Sequence, residues 1–296
     1  MEKDSVLLTI GMMVYNEAKY INEAIDSLLA QTYKDFVLII SDNASTDGTS
    51  EICKHYTEKD KRIIYIRHNK NMGAFFSFNF ILDKINTPFF MFCAGHDKWH
   101  SQFIEKLFPI IMGNKELIGV YPLTREINID GSLGVIHQDD YTTQGIESIE
   151  QRYLLILKRI IKCNIIYGIW CTSIFKQTRF KKLISNDVLF LLNASFLGEF
   201  KQYKEVLFFR RIVREEDDKN KYLRQISVTI GGDNLGLFSV FLAKFNFIVE
   251  NVRILLQKSL PLSIGLRFKL ILKSICKWVK GFYLGPLVRK IAKIFK

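Results

Sequence analysis

The first hundred residues alternate between short apolar runs and amphipathic stretches. "VLLTIGMM" (Val6–Met13), "FVLII" (Phe36–Ile40), Ile63–Ile66 and Phe89–Cys93 are continuous apolar segments bounded by polar turns. Runs of this length and composition predict strands buried on both faces. Between the first two, Glu17–Gln31 carries Ile21, Ala24, Ile25, Leu28 and Leu29 at helical spacing. "NASTDGT" is turn chemistry, and Ser45 or Thr46 is expected to cap the helix that follows. The loop "NKNMGAFFSFN" precedes another helical stretch ending near Ile85, and its single glycine, Gly73, is too weak a signal to assign a ligand. Strand and helix in strict alternation predict an α/β fold, a Rossmann-like mostly parallel sheet with helices on both faces. Ligands of such sheets bind at the carboxyl ends of the strands. Tyr15-Asn16-Glu17, Asp42-Asn43 and His96-Asp97-Lys98 stand at three of those ends and are expected to meet in one crevice.

Beyond residue 115 the pattern becomes mixed. "LIGVYPLTREINIDGSLGVIH" reads as two strands joined at Asp130-Gly131. Glu147–Lys162 is helical, "NIIYGIW" and "EVLFFRRIV" read as strands, and "NDVLFLLNASFLGEF" has helical spacing with Asp187 near its start. From about Leu235 the chain reads as helix throughout. Leu266–Phe282 sets Phe268, Leu272, Ile275, Val279 and Phe282 on one face and Lys269, Lys273, Lys277 and Lys280 on another. After Pro286, Leu287, Ile291, Ile294 and Phe295 form a second apolar stripe with Arg289, Lys293 and Lys296 outside it.

Charge sharpens this division. The chain has 296 residues, 48% hydrophobic, enough for one sizeable core, and a net charge of +12. After Glu250 there is no acid and there are eleven basic residues, so the body before it is nearly neutral and the tail is cationic. The N-terminus "MEKDSVLLTI" lacks the basic start and long apolar stretch of a signal peptide. No uncharged apolar stretch reaches the roughly 18 residues of a spanning helix. Five cysteines without a CxxC pair predict free thiols in a reducing cytosol. His96, Asp97 and His100 lack the further ligands a zinc site needs, and His55, His68 and His137 read as surface or capping residues.

"TIGMMVYNEAKYINEAIDSLLAQTYKDFVLIISDNASTDGTSEIC", "RIIYIRHNKNMGAFFSFN" and the strand ending in "AGHDKW" resemble the opening of family 2 glycosyltransferases of the GT-A fold. A looser likeness runs through "YGIW", "NDVLFLLNASFLGEF" and "LFFRR". The resemblance implies an inverting transferase using a nucleotide sugar, UDP-linked by type, with residues 1–235 as the transferase domain. Its nucleotide-binding half would be 1–115 and its acceptor half 116–235. It implies that Tyr15, with Asn16 and Glu17 beside it, lies near the base, and that Asp42 and Asn43 hold base and ribose. Asp97, with Lys98 next to it, falls in the motif that binds ribose or a divalent ion, Mg²⁺ or Mn²⁺, on the diphosphate. Asp187 matches the base that deprotonates the acceptor hydroxyl, although an acid there also suits a helix cap. Three departures stand out: Lys98 replaces the usual second acid, Asn43 a frequent aspartate, and Met13-Val14 a region where proline is common. Lys98, with Arg210 or Arg211, is therefore the alternative to a metal as the positive charge at the diphosphate. Asn43 still offers both a donor and an acceptor to a pyrimidine edge.

Residues 236–296 read as a basic amphipathic helical region, with 258–296 suited to an anionic membrane. Each basic residue near such a surface contributes on the order of 1 kcal/mol, and the apolar stripes would lie in the interface. That places the expected protein at the cytoplasmic face of a membrane, as a peripheral enzyme acting on a glycan or polyprenyl-linked acceptor in surface polysaccharide synthesis. Three alternatives stay open. One is a degenerate family member that binds nucleotide sugar without transfer, which Lys98 favours. Another is a tail helix packed on the body with its charged side outward. The last is nucleic-acid binding by the tail, which is not expected because it would leave the apolar stripe in water.

Overall fold

β1 (Leu8–Val14), β2 (Phe36–Asp42), β3 (Ile63–Arg67) and β4 (Phe89–Ala94) pair in parallel in the order β3-β2-β1-β4. The computed structural model containing them describes residues 6–138, 140–159, 164–177, 179–181, 183, 185–213, 237–257 and 260–280. Parallel neighbours need crossovers. Helices α1 (Ile21–Leu29), α2 (Thr49–Lys59) and α3 (Ala74–Lys84) provide them. Ile21, Ala24, Ile25 and Leu28 of α1 are fully buried, as their spacing predicts. The register sets Val14 opposite Asp42, Met13 opposite Ala94, and Asp42 opposite Arg67. The loops after all four strands therefore leave the sheet at one level.

The sheet continues through β5 (Lys98–Trp99), β6 (Leu117–Ile127), β7 (Leu133–His137), β8 (Ile169–Cys171) and β9 (Glu199–Arg211). Its order is β3-β2-β1-β4-β8-β6-β9-β5, with β7 on β6 as the Asp130-Gly131 signal predicts. β8 runs antiparallel to both β4 and β6, whereas β6 and β9 are parallel. α4 (Phe103–Met112) follows β5 and α6 (Thr172–Gln177) follows β8. At Gly119 a Cβ would lie 2.3 Å from the Trp170 ring, so only glycine lets the tryptophan cross β6.

Three local expectations need correction. α1 begins at Ile21 rather than Glu17, because the amides of Glu17 and Ala18 bond to Thr49 Oγ1 and Asp47 Oδ2 instead of entering a helix. α2 is not capped by Ser45 or Thr46. Left-handed Gly48 (φ 96°) precedes it, and Asp47 Oδ1 accepts the Thr49 amide and hydroxyl. "NIIYGIW" is mostly a 3₁₀ turn, Asn164–Tyr167, before the short β8.

By its internal contacts the chain forms two units. The first comprises residues 1–146, 159–180 and 197–215; the second comprises 147–158, 181–196 and 216–296. The second unit is helical among the described residues, with α5 (Ile149–Arg159), α7 (Asn186–Leu197), α8 (Leu237–Leu255) and α9 (Ile264–Val279). Within it the buried Tyr153 hydroxyl meets Ser274 Oγ at 2.7 Å and Asn251 Oδ1 at 3.2 Å. No helix among the described residues is long and apolar enough to cross a membrane. Phe282 and the stripe after Pro286 lie outside the described residues.

Candidate active site

The loop after β1 is sewn to the loop after β2. Asn16 adopts the left-handed conformation (φ 56°), which asparagine tolerates better than most residues. Its amide donates to Ser45 Oγ at 3.0 Å, and its Oδ1 accepts the Thr46 amide at 2.9 Å. The pattern spends Ser45, Thr46, Asp47 and Thr49 on holding residues 16–18, a role the sequence reading missed. Tyr15, at the head of this loop, is 46% exposed and presents its ring to solvent.

Asp42 is fully buried at the end of β2. Oδ1 accepts the Ser45 amide at 2.8 Å, while Oδ2 accepts Ser50 Oγ at 2.7 Å and the Tyr65 hydroxyl at 2.6 Å. Burial alone would raise its carboxyl, but those donors outweigh it and hold the group below the ordinary value. Asn43 is similarly committed. Its Oδ1 accepts the Met72 amide at 2.8 Å and its Nδ2 donates to Asn71 Oδ1 at 2.6 Å, fixing the loop that ends in Gly73. A polar hollow of about 290 Å³ opens beside these residues, lined among others by Ser45, Thr46, Lys54 and Arg67.

The turn after β4 answers to both neighbouring loops. His96 Nδ1 lies 2.8 Å from Glu17 Oε1, and its Nε2 lies 4.0 Å from Asp97 Oδ1. Burial pushes the His96 imidazolium down, yet the Glu17 hydrogen bond and the charges of Asp97 and Glu17 carry it above the ordinary value. Asp97, 2% exposed, accepts the backbone amide of Arg211 on Oδ1 at 2.8 Å. Its burial raises the carboxyl against the pull of His96, the Arg211 amide and Arg210. Lys98 points its charge at Glu23, with Nζ 3.2 Å from Oε2. The same carboxylate receives Arg211 NH2 at 2.9 Å, while Arg211 Nε donates to the His96 carbonyl at 2.9 Å. Glu23, Lys98, Trp99, Phe209 and Arg211 line a cleft of about 330 Å³ with part of the β6–β7 hairpin.

One edge of the first unit thus gathers Tyr15, Asn16, Glu17, Asp42, Asn43, Asp97 and Lys98. Asp187 belongs to the second unit, in the first turn of α7, where its Oδ1 accepts the Val188 amide at 3.0 Å. An acid there also complements the helix dipole. Sequence reading did not single out Glu23, Tyr65 or Gln31. Gln31 is fully buried, donating to the His100 carbonyl at 2.7 Å and accepting the Ile104 amide at 3.1 Å. It anchors the chain just after Trp99.

Among the described residues no three His, Cys, Asp or Glu side chains converge as a metal cage. The contacts to Asp97 fall on Oδ1, and Oδ2 takes no hydrogen bond from the described residues. A single carboxylate oxygen fits Mg²⁺ or Mn²⁺ completed by phosphate and water oxygens, and does not fit zinc.

Residues 9–184 match glycosyl transferase family 2, and the chain belongs to that family. It is 33% identical over 106 residues to TuaG, a glycosyltransferase assigned to teichuronic acid biosynthesis in Bacillus subtilis; the match covers 36% of this chain and 42% of TuaG. The chain thus spans less than half the length of that relative. Among solved structures, S. aureus TarS in complex with UDP-GlcNAc superposes with a TM-score of 0.65 at 16% identity, over 92% of this chain and 72% of that one. The mannosyltransferase PcManGT of Pyrobaculum calidifontis, in complex with GDP-Man and Mn²⁺, gives 0.54 at 12% identity, over 93% and 81%. Both likenesses establish the GT-A fold.

Proposed function

We propose that this chain is an inverting transferase that takes a sugar from a UDP-linked donor to a hydroxyl of a glycan or polyprenyl-linked acceptor, in surface polysaccharide synthesis. The observation that carries the reading is the shared level of the strand ends, with Glu17 bonded to His96 and Asn16 bonded to the loop after Asp42. A nucleotide sugar needs a concave edge of this kind, with an aromatic ring for the base, polar loops for the ribose and positive charge for the diphosphate.

In this reading Tyr15 stacks near the base. Asp42 and Asn43 act chiefly through the loops they hold, residues 43–50 and 71–73. Asp97 Oδ2 is the oxygen that would hold Mg²⁺ or Mn²⁺ against the diphosphate. When bound, such an ion neutralises the charge that develops on the leaving group. Of the cations considered for that task, Lys98 and Arg211 are both drawn to Glu23. The Arg210 side chain has no hydrogen bond or ion pair with the described residues, and its charge acts on both His96 and Asp97. It is the better candidate to face the diphosphate directly. Asp187 is the proposed base, taking the acceptor proton as the hydroxyl attacks the anomeric carbon and the nucleoside diphosphate departs. A single displacement inverts the anomeric configuration. The cationic tail supports work at the cytoplasmic face of an anionic membrane.

A panel of UDP-, GDP- and TDP-sugars incubated with the full chain, with and without divalent ions, tests the proposal. The expected result is release of UDP from one donor and a product of inverted configuration. Binding of a donor without release of nucleotide from any of the panel would support the degenerate reading instead.

A further inference from the structure

α9 has three faces, and one of them carries the buried side chains. Successive helical residues turn by about 100°. On one arc Leu270, Ile271, Ser274 and Trp278 are buried. On the next, Ile264, Phe268 and Leu272 are 74%, 60% and 62% exposed. Beyond them stand Lys273 and Lys280, whose side chains have no hydrogen bond or ion pair with the described residues. Of the apolar stripe read from the sequence, Phe268 and Leu272 are uncovered, while Ile275 and Val279 are half-buried.

This exposure is not the fraying of a loose end. Arg267 closes the α8–α9 turn by donating to the carbonyls of Leu255, Gln257, Leu260 and Leu262. That one side chain meets four carbonyls, of which those of Gln257 and Leu260 also accept the Leu260 and Leu262 amides. α9 is also tied to α5. Lys269 pairs with Glu150 at 2.5 Å, Lys277 donates to the Leu157 and Lys158 carbonyls, and Tyr153 meets Ser274. Two of the four lysines of the sequence's polar face are thus used internally, leaving Lys273 and Lys280 outward. Val249 of α8 and Leu256, just past its end, are also exposed.

We infer that α9 is a lipid-docking face, seating Ile264, Phe268 and Leu272 in the headgroup–acyl boundary of an anionic bilayer with Lys273 and Lys280 at the headgroup phosphates. The inference rests on the peripheral-membrane reading above and adds which face makes the contact. Charge complementarity selects the occupant: no acid follows Glu250, and the cations border an apolar stripe. A bilayer covers both classes of side chain at once, whereas nucleic acid would meet only the lysines.

The test is cosedimentation of the full chain with phosphatidylcholine vesicles, with and without phosphatidylglycerol. Circular dichroism and solution release of nucleotide from the donor serve as fold controls. The wild-type chain is expected to bind the anionic vesicles. Phe268→Glu with Leu272→Glu is expected to lower the partition coefficient at least about 10-fold, and Lys273→Glu with Lys280→Glu to remove the preference for phosphatidylglycerol. Wild-type binding that both pairs leave unchanged overturns the assigned face but not the membrane reading. Wild-type chain that ignores every vesicle overturns both, as does vesicle-independent dimerisation lost in the Phe268/Leu272 pair. Tighter binding to duplex DNA than to anionic vesicles at physiological salt also overturns it.

Discussion

The backbone amide of Arg211 donates to Asp97 Oδ1 at 2.8 Å, closing the last residue of β9 onto the turn after β4. No substitution at 211 other than proline removes this donor, so the position of Asp97 is fixed by main chain while its second oxygen takes no hydrogen bond from the described residues. Asp97→Asn keeps a carbonyl acceptor for the amide and discards the charge. Turnover is expected to fall at least about 100-fold, the scale of removing one preorganised electrostatic group, with little change in Tm. Excess chelator should abolish the activity and Mg²⁺ or Mn²⁺ restore it. Native turnover in Asp97→Asn would leave Asp97 as a fastening for β9 alone.

Asp42 is expected to behave as a stability residue. Asp42→Asn would turn an amide donor toward the Ser50 and Tyr65 hydroxyls or the Ser45 amide. The cost is about 1–3 kcal/mol, that of a buried unsatisfied group. Because the folded carboxyl lies below its ordinary value of 3.8, its contribution is complete above that value. It is lost as pH falls through the lower, folded value. Melting curves of both proteins should therefore converge in acid. A difference that persists undiminished at the lowest pH would contradict the assignment.

His96 titrates in the opposite sense. Its folded value is raised above 6.5, so its contribution is full below 6.5 and fades as pH rises through the folded value. Removing the Glu17 charge with Glu17→Gln should move the His96 midpoint down in an NMR titration. An unmoved midpoint would mean that the Glu17–His96 contact is not an ion pair in solution.

Asp187→Asn separates chemistry from helix structure. A general base contributes roughly 10²–10⁴-fold to rate. The variant is expected to lose kcat on that scale while KM for the donor and the helix content hold. Loss of stability with kcat intact would assign Asp187 to the α7 terminus only.

Gly119→Ala should be felt as overpacking. The added methyl meets the buried Trp170 ring at 2.3 Å, at a cost of about 1–3 kcal/mol. At this chain length that corresponds to roughly 2–4 °C of Tm per kcal/mol. Chemical denaturation of the two proteins checks it.

Much of the first hundred residues was legible because their signals are local. Apolar runs on a period fit for buried strands, and four helical positions from Ile21 to Leu28, identify elements without knowledge of partners. Polar residues at their ends then mark the crevice side of the sheet. The same spacing offered Lys98 as a positive charge for the diphosphate and Ser45, or Thr46, as a helix cap. Lys98 and Ser45 have other partners, Glu23 and Asn16, and those partners lie 75 and 29 residues away.

The sequence by itself determined the alternation of elements, the hairpin at Asp130-Gly131, the gathering of polar residues at strand ends and the cationic tail, since each follows from composition and period. Only tertiary structure decided the rest. It buried Asp42 under three donors, set Arg211 on Asp97, turned β8 antiparallel and left Phe268 and Leu272 of α9 uncovered. The physical reason is the same in each case. Where a charge or an apolar face ends up depends on which distant segment arrives to satisfy or bury it, and spacing along one segment does not encode that arrival.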